Sequence, residues 1–201
     1  MSKIDIKKAA ALYNNRYDLY GNNLKTVGWG NSEDQILRFE ILFRGLNLKG
    51  RTILDVGCGL GDLIDYLDKV TDGDFNYIGI DIAEKLIGSA SEKYSRPNVK
   101  FYIGDVFLNI LNPIDISVLS GALSFKTTGI EEYAYETMKR MFELSKEAAC
   151  LNFLSKYVDF EAEKNQHYSP EIMFSKAKEL SKRVVIYHDY QLYEFTVQLL
   201  K

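Results

Sequence analysis

Residues 53–63 read ILDVGCGLGDL. The run Arg51 to Val56 (RTILDV) has strand composition, glycines stand at 57, 59 and 61, and a helical pattern follows from Gly61 to about Val70. Glycines in a strand-to-helix turn permit tight backbone geometry and let a ligand touch the main chain. The helix start behind them offers free N–H groups and the positive end of a dipole. In an open α/β sheet, ligands bind beyond the carboxyl ends of the strands, near the point where strand order reverses. The segment therefore predicts an α/β sheet with a ligand seated on the turn.

The neighbouring strands carry the same signal. FNYIGI (75–80) is a second strand, and Asp81 follows at its tip. Val99 to Ile103 is a third, running into Gly104-Asp105-Val106. An acid at position 81 is placed to accept hydrogen bonds from both hydroxyls of a ribose, as the corresponding acid does in dinucleotide folds. Asp105 can meet the exocyclic amine of an adenine, and Asp55 stands two residues before the first glycine. Any one of these acids alone reads equally well as a solvated cap. Three at consecutive strand tips behind a glycine turn predict a ligand site.

The rest of the chain alternates strand and helix. Helices are predicted over about 4–20, from Ser32 to about Leu46 with a Ser32/Gln35 capping box, over 83–94, over 130–147, and from Ser169-Pro170 to about Lys182, with proline in the first turn. Gly21 to Gly30 reads as a loop. Further strands are Ile114–Leu119, Ala148–Leu154, Val184–Tyr187 and Leu192–Leu199. Strands separated by helices imply crossover units and a mostly parallel sheet. Only four residues, His188 to Gln191, separate the last two strands, too few for a crossover, so these form an antiparallel hairpin. The predicted fold is α/β: a doubly wound, mostly parallel seven-stranded sheet with a C-terminal antiparallel hairpin, helices on both faces and an N-terminal helical extension. One domain spans 1–201, with a helical lid over 1–50, a ligand-binding core over 51–154, and a substrate-side helix and hairpin over 155–201.

The segment Ile53 to Leu67, with Asp81, Asp105-Val106 and Leu119-Ser120-Gly121, resembles the class I, seven-stranded S-adenosylmethionine-dependent methyltransferases. The motifs cover about Arg51 to Leu154. The resemblance implies S-adenosylmethionine as cofactor and S-adenosylhomocysteine as product. It implies that Asp55, Gly57, Cys58 and Gly59 line the methionine part, that Asp81 holds the ribose with Ile82 against the adenine, and that Asp105 and Val106 contact the adenine. Ser120 and Gly121 would lie under the reacting sulfonium. Two alternatives stand beside this reading. A non-catalytic cofactor-binding module would keep the same turn. An NAD-dependent oxidoreductase would use a related one, although its fingerprint is GxGxxG and this chain has GxGxG.

The first fifty residues supply further candidates. Arg38 shares a helix face with Gln35 and is a candidate fork for the cofactor's carboxylate. Trp29, the only tryptophan, is a cofactor-binding candidate, although a lone loop tryptophan is more often a packing plug. Tyr13 and Tyr17, at i and i+4, are expected to face the pocket as substrate-binding residues, together with Phe125 after the fourth strand and Tyr168 after the fifth. Leu123, Ser124, Lys126, Tyr157 and His167 are secondary candidates on the same side. No catalytic residue is assigned.

Bulk properties restrict the partners. The chain has 201 residues, 46 % hydrophobic and 13 % aromatic, enough for a proper core. A net charge of −3 without a basic block makes nucleic acid an unlikely partner. No run approaches the roughly 18 apolar residues of a membrane span. Cys58 and Cys150 have no metal-like spacing and read as reduced thiols, and no metal site is expected. A cytoplasmic monomer or homodimer acting on an oxygen or nitrogen of a small-molecule metabolite is expected.

Overall fold

A computed structural model describes residues 3–28, 30–107 and 113–201. The elements run α1 (Lys3–Tyr20), α2 (Leu24–Val27), α3 (Ser32–Leu42), β1 (Arg51–Val56), α4 (Leu63–Thr71), β2 (Phe75–Asp81), α5 (Glu84–Lys93), β3 (Val99–Ile103), β4 (Ile114–Leu119), α6 (Ile130–Leu144), β5 (Ser145–Leu154), α7 (Pro170–Leu180), β6 (Arg183–Tyr187) and β7 (Glu194–Leu200). They form one seven-stranded sheet in the order β3-β2-β1-β4-β5-β7-β6. The pairs among β1 to β5 are parallel, and β7 runs antiparallel to both of its neighbours. The expected hairpin is present, and its second strand is inserted between β5 and β6.

Two apolar layers cover the sheet. On one side Leu54, Ile78, Ile80, Leu119, Leu151, Phe153, Phe195 and Val197 pack with Met138 and Met141 of α6 and Met173 of α7. On the other, Ile53, Tyr77, Ile116, Val118 and Cys150 pack with Phe39 and Leu42 of α3 and Leu63, Ile64 and Leu67 of α4. Alternate residues of each strand feed the two layers, which is why the inner strands read as continuous apolar runs. The two cysteines are buried free thiols. No helix among the described residues is long and apolar enough to cross a membrane.

Several boundaries differ from the sequence reading, each for a local reason. The loop 21–30 contains the single turn α2, whose start is capped by Asn23 through the N–H of Lys25. Helix α3 is capped by Asn31, whose side chain accepts from Asp34 N at 2.8 Å, so the Ser32 capping box does not form. It ends at Leu42, short of Leu46. Helix α6 stops at Leu144 because Ser145 turns its hydroxyl back to Met141 O at 2.8 Å and pairs with Ile114 in the sheet. Residues 145–147 thus belong to β5.

Candidate active site

The site is built where the tips of β1, β2 and β4 meet. The N–H groups of Gly57 and Cys58 both donate to Ile80 O, at 2.8 and 3.0 Å. Gly59 N donates to one oxygen of Asp81 at 2.9 Å and Ala83 N to the other at 2.8 Å. Asp81 thus ties the glycine turn to the β2–α5 turn while each oxygen keeps acceptor capacity in other directions. Burial pushes its carboxyl above the usual range, opposed by the N–H groups of Ala83, Gly59 and Ile82.

Asp55 lies one layer deeper, 3 % exposed, and accepts from the hydroxyl of Tyr77 at 2.7 Å. Burial raises its carboxyl to about 7; the Tyr77 hydrogen bond opposes the rise, and Asp81 and Asp62 add to it. Gly57 has φ 74°, and a β-carbon there would overlap that of Ala122 in the loop after β4. At Gly59 a β-carbon would come 2.8 Å from Val27 Cγ1. The glycines therefore let two other segments, 120–129 and α2, close against the turn. The Cys58 side chain points into the core, beside Gly79, so only its main chain faces the turn.

The N-terminal segment covers this corner. Tyr13, Tyr17 and Val27 pack against Leu60, Ala83 and Leu86. Burial, and next the charge of Asp81, raise the Tyr13 hydroxyl's pKa. Tyr13 and Tyr17, the expected substrate-binding pair, are thus brought to the cover over the β2–α5 turn. Helix α1 is latched to α5. Its Asn14 accepts from Lys85 N at 3.1 Å, and Asp18 pairs with Lys85 Nζ at 2.6 Å. Ala83, the residue before α5, offers no side-chain cap, so Asn14 supplies one from another helix.

Asp105 follows β3 and is half-buried. It accepts from Phe107 N at 3.0 Å and from Tyr133 of α6 at 3.4 Å, and the rings of Phe107 and Tyr133 stand 5.9 Å apart. Val106 is fully buried in the core, while Ile82 is half-buried between Asp81 and α5.

At the β4 tip, Gly121 N donates to Asn152 Oδ1 of β5 at 2.7 Å. Arg38 of α3 pairs with Glu194 of β7 at 2.7 Å, and Gln35, one turn earlier, donates to Asp62 at 3.2 Å. Ser120 and Phe125 are half-buried in the loop after β4. Tyr168, expected as a substrate-binding residue, is 2 % exposed, packs 4.9 Å from Phe153 in the core, and donates its hydroxyl to Leu123 O at 2.9 Å. It thereby supports the loop after β4. His167 is also buried, with Nδ1 2.7 Å from Ser155 O. Trp29 lies outside the described residues.

Asp81, Asp105, the glycine turn and Gly121 thus line one continuous edge of the sheet. The order of groups fits a nucleoside carrying an amino-acid tail: an acid for an amine of the base, an acid for ribose hydroxyls, and open main chain at the tail. Tyr77, Asn152 and Glu194 were missed from the sequence. The alternation EFTVQLL in 194–200 was the available signal, and it reads as a surface strand.

The match to a methyltransferase domain family covers residues 53–147. The Mycobacterium tuberculosis protein Rv1506c, which carries a methyltransferase name, is 30 % identical over 161 residues, 75 % of this chain and 93 % of its own. Among solved structures, magnesium protoporphyrin IX methyltransferase of Synechocystis PCC 6803 with bound SAH superposes with a TM-score of 0.70 at 18 % identity, covering 98 % of each chain. The DhpI–SAH complex gives 0.68 at 16 % identity, covering 98 % of this chain and 97 % of its own. At such identities the structural likeness is one of fold.

Proposed function

This chain belongs to the class I S-adenosylmethionine-dependent methyltransferases, and from that premise we propose that it transfers a methyl group to an oxygen or nitrogen of a small-molecule acceptor. The family removes the oxidoreductase and the non-catalytic module from consideration. The observation that carries the small-acceptor reading is the build of the substrate side. It consists of two connections, residues 120–129 and 155–169, with no additional folded unit among the described residues. The Synechocystis enzyme and DhpI, matched over nearly their full lengths, have the same extent.

The bound cofactor supplies a methyl carbon on a positively charged sulfur, so the leaving group is already activated. What remains for the protein is to orient, to exclude water and to hold the acceptor collinear with the breaking bond. Asp81 takes the ribose hydroxyls with its free acceptor capacity, and Ile82 and Asp105 border the adenine, with Val106 packed in the core behind them. Asp55, Gly57, Gly59 and the main chain of Cys58 border the methionine tail, with Arg38 toward its carboxylate. Ser120 and Gly121 lie under the reacting end. Tyr13, Tyr17 and α2 close over the ribose side, and Phe125 borders the acceptor. A neutral amine or an ionised carboxylate attacks without a strong base, and proximity then provides most of the rate.

Calorimetric titration with S-adenosylhomocysteine, with NAD in parallel, tests the cofactor assignment: micromolar binding of the first and none of the second is expected. Transfer of labelled methyl from S-adenosylmethionine into a whole-cell extract, fractionated into small metabolites, protein and RNA, tests the acceptor class. Label found only in protein or RNA would overturn it.

A further inference from the structure

The face of β7 that carries Glu194, Thr196 and Gln198 is buried, at 3 %, 0 % and 2 % exposure. Helix α3 lies on it. Gln198 donates to two carbonyls at the end of that helix region, Leu42 O at 2.9 Å and Arg44 O at 3.1 Å. At the other end of the row, Glu194 accepts from Arg38 Nη2 at 2.7 Å with one oxygen and from the amide of Asn152 with the other. Asn152 in turn accepts from Gly121 N at 2.7 Å. The guanidinium of Arg38 rests against Gly121, where a β-carbon would come 2.5 Å from Nη1. The four residues therefore close a ring, Gly121–Asn152–Glu194–Arg38, drawn from four distant parts of the chain.

The polarity of this ring has one consistent assignment. A carboxylate only accepts, and a backbone N–H only donates. Asn152 must therefore turn its NH2 to Glu194 and its oxygen to Gly121; the flipped amide would set donor against donor at one end and acceptor against acceptor at the other. A buried ion pair is weak support for stability, because desolvation offsets the attraction. The opposite face of the same strands, with Phe153, Phe195 and Val197, supplies the core packing. The ring sits at the carboxyl ends of β4 and β5, where the proposed cofactor's reacting end lies.

We infer that Glu194 and Asn152 are positioning residues for the methionine end of the cofactor: through Asn152 they hold the Gly121 peptide, and through Glu194 they aim Arg38. The inference rests on the cofactor reading above. It differs from a scaffold role in predicting loss confined to one end of the ligand.

The test is calorimetry with S-adenosylhomocysteine and with adenosine, alongside the thermal midpoint of each variant. Glu194→Gln keeps the volume but turns an NH2 toward either Asn152 or Arg38. Asn152→Asp sets two carboxylates face to face. Each single variant should weaken S-adenosylhomocysteine about tenfold or more, the factor that one mismatched buried hydrogen bond brings, and change adenosine less than about twofold. The double variant Glu194→Gln/Asn152→Asp restores the order of donors and acceptors at the same total charge, so it should recover affinity. Gln198→Leu, on the same row and the same helix, should lower the midpoint without separating the two ligands. Equal losses for both ligands, no loss, or a double variant no better than the singles would overturn the inference, and the double variant keeps the test open if a single one fails to fold. A wild-type protein that ignores S-adenosylhomocysteine would overturn the cofactor reading and the inference with it; normal wild-type binding with unaltered variants overturns the inference alone.

Discussion

The β1–β2 corner and the α3–β7 corner border the same cleft and are built in opposite ways. The first is made of backbone. Peptide N–H groups of residues 57–59 are held by Ile80 O and Asp81, and glycines let α2 and the loop after β4 close in. The second is made of side chains from far-apart positions, with Arg38 and Glu194 156 residues apart in sequence. A backbone corner is sensitive to steric additions and to the state of its buried acids. A side-chain corner is sensitive to the order of donors and acceptors.

The largest expected effect tests the first corner. Gly57→Val forces a β-branched residue to φ 74° and drives its β-carbon into Ala122. S-adenosylhomocysteine binding should be abolished in calorimetry; ordinary affinity would refute the assignment of the turn. Next comes pH. Asp55 has its folded pKa raised to about 7 against an unfolded value near 3.8. Between those values the folded state holds the extra proton, so Asp55's share of stability is greatest near pH 4 and is lost as pH rises to 7. The loss is at most about 4 kcal/mol. Asp55→Asn should flatten the fall of the thermal midpoint across that range, and an unchanged slope would assign the fall to other groups.

Asp81→Ala should weaken S-adenosylhomocysteine by about 1–3 kcal/mol, the cost of unpaired hydrogen-bonding groups, and unlike the α3–β7 variants it should weaken adenosine equally. A preference for one ligand would blur the contrast between the corners. Gln198→Leu leaves two carbonyls at the end of α3 without their donor and should cost about 1–2 kcal/mol in denaturant unfolding. The smallest effect belongs to the cover: Asn14→Ala removes the cap that α1 lends to α5, about 0.5–1 kcal/mol, and should speed release of S-adenosylhomocysteine in stopped flow. An unchanged release rate would mean that α1 does not follow ligand exchange.

The backbone corner was legible because its signals are local. Glycine spacing, the acid two residues before it and an acid at each of the next two strand tips are visible within about fifty residues. The seven strands and the antiparallel hairpin were legible for the same reason, since a four-residue gap excludes a crossover. Element ends were less so. Residues 145–147 have helical composition, yet the pairing of Ser145 with Ile114 and the return of its hydroxyl to Met141 draw them into the sheet. The burial of Tyr168 was not legible, because a tyrosine in a loop has no local mark of burial.

The sequence by itself determined the conformations that depend on one residue and its neighbours: the glycine turn, the alternation of strands and helices, the acids at the strand tips. The tertiary structure decided which faces are covered. EFTVQLL has the alternation of a half-exposed strand, but insertion of β7 between β5 and β6 and docking of α3 bury both of its faces. A polar side chain in such a place persists only where another element brings it a partner. Glu194, Asn152 and Gln198 have theirs in Arg38, Gly121 and the end of α3, and no local pattern along the chain announces those meetings.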